Sequence, residues 1–264
     1  MFKLIIRGFF VIKKNGFNVF LSKLINYYFS IKRERNFRKS ILIQDSLEKR
    51  FTEIHNANYW GSEESVSGKG STILYTSNLR KNLPILFKYY NIEKVFDSPC
   101  GDYNWMNKVV SESSISYVGA DIVVNLVDSL NKKYSNNRVS FYHMDITCSK
   151  FPDADLMICR DCLFHLSYDD IFKFIKNFIE SNIPLLLTTT HINNTNFLNK
   201  NIVSGDARLI DLFSAPFGFP KDVLFRIDDW IFPEPQREMC LWTRDQLMTI
   251  LIKRNSSSKH NALE

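Results

Sequence analysis

The chain reads as an α/β protein, with a mainly parallel sheet and helices on both of its faces. Three observations predict this. Between residues 94 and 190, short apolar strand segments alternate with helical ones, the pattern of a parallel sheet. The first of these strands ends in Asp97 and enters the tight turn Ser98-Pro99-Cys100-Gly101-Asp102 before a helix. Two further strand segments near the C-terminus bring the expected sheet to seven strands, the last two suiting an antiparallel pair at an edge.

From the N-terminus, Phe17, Phe20, Leu21, Leu24, Ile25 and Tyr28 recur at the spacing of one helical face. A basic run, Lys32 to Lys39, follows. Residues 1–50 carry twelve Lys/Arg against Glu34, Asp45 and Glu48, whereas the whole chain is only +6. The basicity therefore belongs to this arm and says little about the substrate of the rest. A helical extension over 1–55 is expected, packed on the main domain or lying on an anionic membrane or protein partner. The main domain is expected over 56–254 and a polar, flexible tail over 255–264.

Residues 61–72 are rich in Gly, Ser and Glu and read as a loop. Leu79, Leu83, Leu86 and Tyr90 predict a helix that Pro84 kinks or restarts. Strands are expected at Lys94–Asp97, Tyr117–Asp121, Val139–His143, Asp155–Cys159 and Pro184–Thr190. Ile171, Phe174, Ile175, Phe178 and Ile179 share one face of an intervening helix, and Ser167 with Asp170 makes a capping-box-like start. Leu224–Ile227 and Met239–Trp242 are the late strands, the second leading into a helix from Arg244. The segment 201–235 reads as an inserted substrate loop, with Phe217 and Phe219 offered as walls for a bound acceptor.

Several classes are set aside. Charged residues interrupt every apolar run near the start, so neither a membrane span nor a signal peptide is expected. Five cysteines without regular spacing predict reduced thiols and a cytoplasmic location, with a peripheral membrane location as the alternative that the basic arm suggests. Cys159 and Cys162 have no second pair to complete a zinc site, and no metal is expected.

The strongest motif is the run Val95 to Trp105. In an open parallel sheet, ligands bind at the carboxyl ends of the strands, and Gly101 permits close backbone approach there. Asp102 is expected to cap the helix that follows. The second strand ends in Asp121, about 20 residues past the turn, where an acid accepts hydrogen bonds from ribose hydroxyls. A third acid, Asp145, ends the segment after Val139–His143 and is followed by Ile146. The fourth strand runs into Cys159-Arg160-Asp161-Cys162-Leu163-Phe164-His165.

These segments resemble the motifs of class I S-adenosylmethionine (SAM)-dependent methyltransferases, which have a Rossmann-like fold. Asp97, Cys100 and Gly101 match the first motif, while Pro99 and Tyr103 stand where the family usually has glycines. The resemblance implies S-adenosyl-L-methionine as cofactor and a site containing Asp97, Pro99, Cys100, Gly101, Asp121, Asp145, Ile146 and Arg160. In that family the position of Asp145 holds the adenine amino group. Trp60, the Ser67-Gly68-Lys69-Gly70-Ser71 loop, the two runs above and the Asn201–Pro220 stretch also resemble a bacterial group associated with surface-polysaccharide and glycan modification. That narrower resemblance adds Trp60 to the cofactor site and implies a small-molecule, sugar or phosphorylated glycan-precursor acceptor, methylated on oxygen.

Removal of a proton from an oxygen nucleophile calls for a general base. His165 and His191, just past the fourth and fifth strands, are preferred over Asp161. Arg160 is offered for the methionine carboxylate or an anionic acceptor. Two other readings remain at this level. A nucleic-acid methyltransferase would need a basic groove near the site, but the basic residues lie far upstream. A non-catalytic SAM-fold subunit is suggested only by the departures at Pro99 and Tyr103.

Overall fold

The computed structural model describes residues 25, 28, 32 and 34–260, without the side chains of 253 and 255–260. The chain forms two compact units, Met1–Gln44 and Asp45–Glu264. In the first, residues 34–42 are helical, and Ile25 and Tyr28 are exposed. Phe17, Phe20, Leu21 and Leu24 of the expected helical face lie outside the described residues.

The second unit holds helices α1 (Leu47–Asn56), α2 (Ser77–Tyr89), α3 (Met106–Ser111), α4 (Val124–Tyr134), α5 (Tyr168–Glu180) and α6 (Arg244–His260). Its strands are β1 (Lys94–Asp97), β2 (Ser116–Asp121), β3 (Val139–His143), β4 (Leu156–Cys159), β5 (Leu185–His191), β6 (Phe225–Asp228) and β7 (Arg237–Thr243). They form one sheet in the order β3-β2-β1-β4-β5-β7-β6. β1 to β5 pair in parallel, and β7 pairs antiparallel with both β5 and β6. Strand order reverses between β1 and β4, which makes their carboxyl ends the switch point where an open α/β sheet binds ligands.

The period of two in the strands builds a core on each face. Val95, Tyr117, Leu156 and Ile158 pack with α2, α3 and α4. Phe96, Val118, Met157 and Cys159 point the other way and pack with α5 and α6. α5 is anchored as its sequence predicts. The Ser167 hydroxyl accepts from the Asp170 amide, and Ile171, Phe174, Ile175 and Phe178 are buried. Fully burying each such side chain stabilises the fold by about 1.5–3 kcal/mol.

Three expectations are corrected. Pro84 neither breaks nor restarts its helix, because α2 runs through it. Pro84 sits on the exposed side, and the burial of Leu79, Leu83, Leu86 and Phe87 outweighs the lost backbone bond. Phe217 and Phe219 are each only 2% exposed and belong to the core. Phe217 packs against Tyr168 and Phe172, and Phe219 against Trp242, so they are not walls for a bound acceptor. Asp102 does not cap α3; its carboxylate accepts from Ser65 and Val66 instead, and its amide donates to Ser67 Oγ.

Candidate functional site

A cavity of about 340 Å³ opens at the carboxyl ends of β1, β2 and β4, and α1 and the 66–71 loop complete its walls. Nine of the twelve residues expected in the site from the resemblance and the base argument are Asp97, Pro99, Cys100, Gly101, Asp121, Asp145, Ile146, Arg160 and Trp60, and all nine line it. Asp161 and His165 line it as well, and His191 does not.

The turn after β1 is built by close packing. The Cys100 amide donates to the Ala120 carbonyl at 2.8 Å, joining the β1 turn to β2. Gly101 has φ +54°, and a Cβ there would lie 2.4 Å from Ser67 Oγ. Both the left-handed backbone and the lack of room demand glycine. Ser67 Oγ accepts from the Asp102 amide at 2.8 Å, and Asp102 Oδ2 accepts from Ser65 Oγ and the Val66 amide. The 65–71 loop is thereby held over the turn.

Three strand-end acids stand around the cavity. Asp121 accepts from the Gly101 amide at 3.1 Å and, through its other oxygen, from the Val123 amide at 3.1 Å. Burial raises its pKa. Asp97 is buried and accepts from the Tyr117 hydroxyl at 2.8 Å. Burial pushes its pKa up to about 7, although the Tyr117 hydrogen bond and nearby Arg160 pull the other way. Asp145 accepts from both the amide and the hydroxyl of Thr147.

The opposite wall presents a charged quartet, Arg160, Asp161 and Arg237 with Asp229 behind them; Arg160 and Asp229 are buried and Asp161 and Arg237 half-buried. Arg160 grips Asp229 with two bonds, Nε to Oδ2 at 2.8 Å and Nη2 to Oδ1 at 2.9 Å. Its Nη2 also donates to the Gly70 carbonyl at 2.8 Å. Asp161 lies 2.8 Å from Arg237 Nη2 and 3.4 Å from Arg160 Nη1. Burial alone would raise the Asp161 pKa, but the two guanidinium groups outweigh it and hold it below the usual value. Asp161 is thus a paired anion and a poor base. Arg160 makes a buried bidentate pair. Arg237 and Asp229 escaped the sequence reading because nothing near them in sequence marks them. The signal was topological: an antiparallel β7 must begin where β5 ends, and Arg237 pairs in register with His191.

The two histidines differ. His165 stacks on Trp60, with ring centroids 4.2 Å apart. Its Nδ1 lies 2.9 Å from the Asp206 carbonyl. A carbonyl only accepts, so Nδ1 carries the proton and Nε2 is left as an acceptor. Burial lowers its pKa to about 4, so the ring is neutral at neutral pH. His191 is placed elsewhere, beside a separate cavity bounded by residues 192–197 and 230–236. Its Nδ1 accepts from the Ile210 amide, and its ring meets the edge of Phe164. Burial and Arg237 lower its pKa to about 4. As a candidate base at the main cavity His191 is therefore withdrawn; it ties β5 to the 210 segment.

Sequence reasoning also missed Leu47, Phe51, Ile54 and His55 of α1 and Trp105 as lining residues. Among the described residues, no group of three or more His, Cys, Asp or Glu side chains is placed to hold a metal ion. No described helix is long and apolar enough to cross a membrane.

Solved structures share this fold. A SAM-dependent methyltransferase of Leishmania major is similar at 13% identity over 76% of this chain and 87% of its own, with a TM-score of 0.56. The magnesium protoporphyrin IX methyltransferase of Synechocystis PCC 6803, solved with bound SAM, is similar at 11% identity over 76% of this chain and 99% of its own, with a TM-score of 0.51. The fold is therefore the Rossmann-like one of these methyltransferases. No protein-family model matches the sequence, and no curated protein matches it.

Proposed function

We propose that the chain is a SAM-dependent methyltransferase. The observation that carries this reading is the cavity at the switch point, with Asp121 fixed beside the Gly101 turn and Asp97 and Arg160 both lining it. The residues fit the cofactor. Ser98 Oγ is buried at the cavity with no hydrogen-bond partner, and acids and a guanidinium are set out for a zwitterionic nucleoside. Asp121 holds the ribose hydroxyls. Asp145 and Ile146 hold the adenine, with Pro99 and Cys100 shaping the turn beside it. Asp97 takes the ammonium and Arg160 the carboxylate of the amino-acid end.

The cofactor supplies a sulfonium methyl that an acceptor nucleophile takes, with the S–CH₃ electrons passing to sulfur. The chain's residues orient the partners and exclude water; such alignment can contribute about 7–11 kcal/mol. His165, neutral and with Nε2 as an acceptor, takes a hydrogen bond from the acceptor hydroxyl and orients it; with its pKa lowered to about 4 it is a weak base and contributes mainly by positioning. The acceptor is proposed to be a small molecule, either a sugar or a phosphorylated glycan precursor, methylated on oxygen. Support for that class is the sequence resemblance through Trp60 and the Ser67–Ser71 loop. The chain is proposed to work in the cytoplasm, with the basic arm of residues 1–40 serving location or assembly.

Calorimetric titration with SAM and with S-adenosylhomocysteine (SAH) tests the cofactor, and micromolar binding without added metal is expected. Absence of heat and of any thermal shift with either compound overturns the reading. For the acceptor, a metabolite extract incubated with enzyme and SAM should contain a species heavier by the mass of one methylene, a methyl having replaced a proton. No such species in any polar or glycan-precursor fraction argues against it.

A further inference from the structure

We propose that Asp229 and Gly70, joined through Arg160, are positioning residues for the amino-acid end of the cofactor. Asp229 locks the guanidinium, and the guanidinium holds the 68–71 loop against the cavity and keeps Nη1 for the carboxylate. The inference rests on the SAM reading above.

The hydrogen-bond inventory of Arg160 points this way. Nε–H and one N–H of Nη2 go to Asp229, and the other N–H of Nη2 goes to the Gly70 carbonyl. Among the described residues, Nη1 makes no hydrogen bond, and its ion-pair contact is the Asp161 carboxylate at 3.4 Å. A guanidinium held along one edge by a bidentate carboxylate cannot swing, so its remaining edge is aimed. Arg160 lines the cavity although its side chain is only 4% exposed. An anion meeting Nη1 would do so out of bulk water, where a charge-assisted bond is strongest. The Asp229 side chain is fully buried and lies outside the cavity lining, so it acts on a ligand only through Arg160.

The loop is pressed against the quartet. A Cβ on Gly70 would sit 2.9 Å from Asp161 Oδ2 and 3.0 Å from Arg237 Nη2. A side chain there would have to displace the Asp161–Arg237 pair. Lys69 reaches across to Glu234 at 2.9 Å, and Asn104 Nδ2 donates to the Ser71 carbonyl, so neighbouring contacts fix the same loop. The quartet is formally neutral, with two guanidinium groups and two carboxylates. Its role is therefore to orient one edge of Arg160, and it does not raise the local positive potential.

The test compares two probes on the full chain by calorimetry: SAH, which has the amino-acid end, and 5′-methylthioadenosine, which lacks it. In the double variant Arg160→Met/Asp229→Leu the buried pair is removed as a unit, a replacement that folded proteins often tolerate. SAH binding should weaken at least about tenfold, and methylthioadenosine binding should change less than about twofold. Gly70→Ala should shift the same ratio by about threefold or more, and Asp229→Asn should fall between the two. If the double variant does not fold, the ratio in Gly70→Ala and Asp229→Asn decides. Equal loss for both probes, or unchanged SAH binding in folded variants, overturns the positioning role while leaving the SAM reading standing. If the wild-type chain binds neither probe, the SAM reading fails, and this inference falls with it.

Discussion

The two walls of the cavity are built in opposite ways. On the β1–β3 side, two of the three acids have a partner two residues on, beside longer-range bonds from Tyr117 to Asp97 and from Gly101 to Asp121. Asp121 takes the amide of Val123, two residues on, and Asp145 takes the amide and hydroxyl of Thr147. On the β4–β7 side, the hydrogen-bonded partners are distant in sequence: Arg160 with Asp229 and Gly70, and Asp161 with Arg237. A wall closed by local turns survives the loss of one side chain. A wall closed by buried ion pairs between remote segments does not, because the orphaned charge stays in a dry interior.

The largest expected effect breaks the second wall. Arg160→Ala leaves buried Asp229 without its bidentate partner and with only Arg237 Nε, 3.6 Å away, which should cost about 3–5 kcal/mol. At roughly 2–4 °C per kcal/mol for a domain of this size, the melting temperature should fall by about 10 °C. A shift under about 2 °C in a scanning measurement, less than 1 kcal/mol is worth, would mean that the pair is not the closure described. Phe217→Ala is the apolar counterpart. Truncating this buried ring should cost about 3–5 kcal/mol and leave SAH affinity of the folded fraction unchanged. A stable Phe217→Ala protein with impaired turnover would restore the loop as a substrate wall.

The first wall should behave differently. Asp121→Ala should weaken SAH by about 10–100-fold, since hydrogen bonds to a charged group contribute roughly 1.5–3 kcal/mol. Its melting temperature should move by less than half the Arg160→Ala shift. Equal thermal losses in the two variants would erase the contrast.

Smaller still is a pH effect that places Asp97. Its raised pKa, about 7, means that below pH 7 the carboxyl is mostly protonated and cannot pair with an ammonium group. Ligand binding favours the ionised form and releases the proton, so affinity should rise with pH. SAM should bind about tenfold tighter at pH 8 than at pH 6, and Asp97→Asn should flatten that dependence. A flat profile in the wild type would remove Asp97 from the ammonium. The smallest expected effect is from deleting residues 1–40: SAH affinity should change by less than about twofold, because every lining residue follows Gln44. A large loss in a folded truncation would show that the arm is needed for the site.

The same contrast explains what could be read in advance. The seven strands and the amphipathic α5 were legible because a period of two or of 3.6 is written in neighbouring residues. So were Asp97, Gly101 and Asp121, since a strand end, a turn and the next strand end keep their order along the chain. The aromatic residues of 201–235 were misjudged because Phe217 and Phe219 carry the same local signature whether they face a ligand or Trp242. His165 and His191 look alike in sequence, each just past a strand. Only packing put one against Trp60 in the cavity and the other against Ile210 outside it.

Neighbouring residues were enough to set the alternation of strands and helices, the acid at each strand end and the glycine that the first turn requires. These follow from backbone geometry and side-chain period, which act over a few residues. The quartet of Arg160, Asp161, Asp229 and Arg237, and with it the pinned 68–71 loop, came only with the folded chain. A buried charge is tolerable only beside its counter-charge. Which carboxylate arrives there depends on how β7 and the segment before it fold back along β5, which no local pattern encodes.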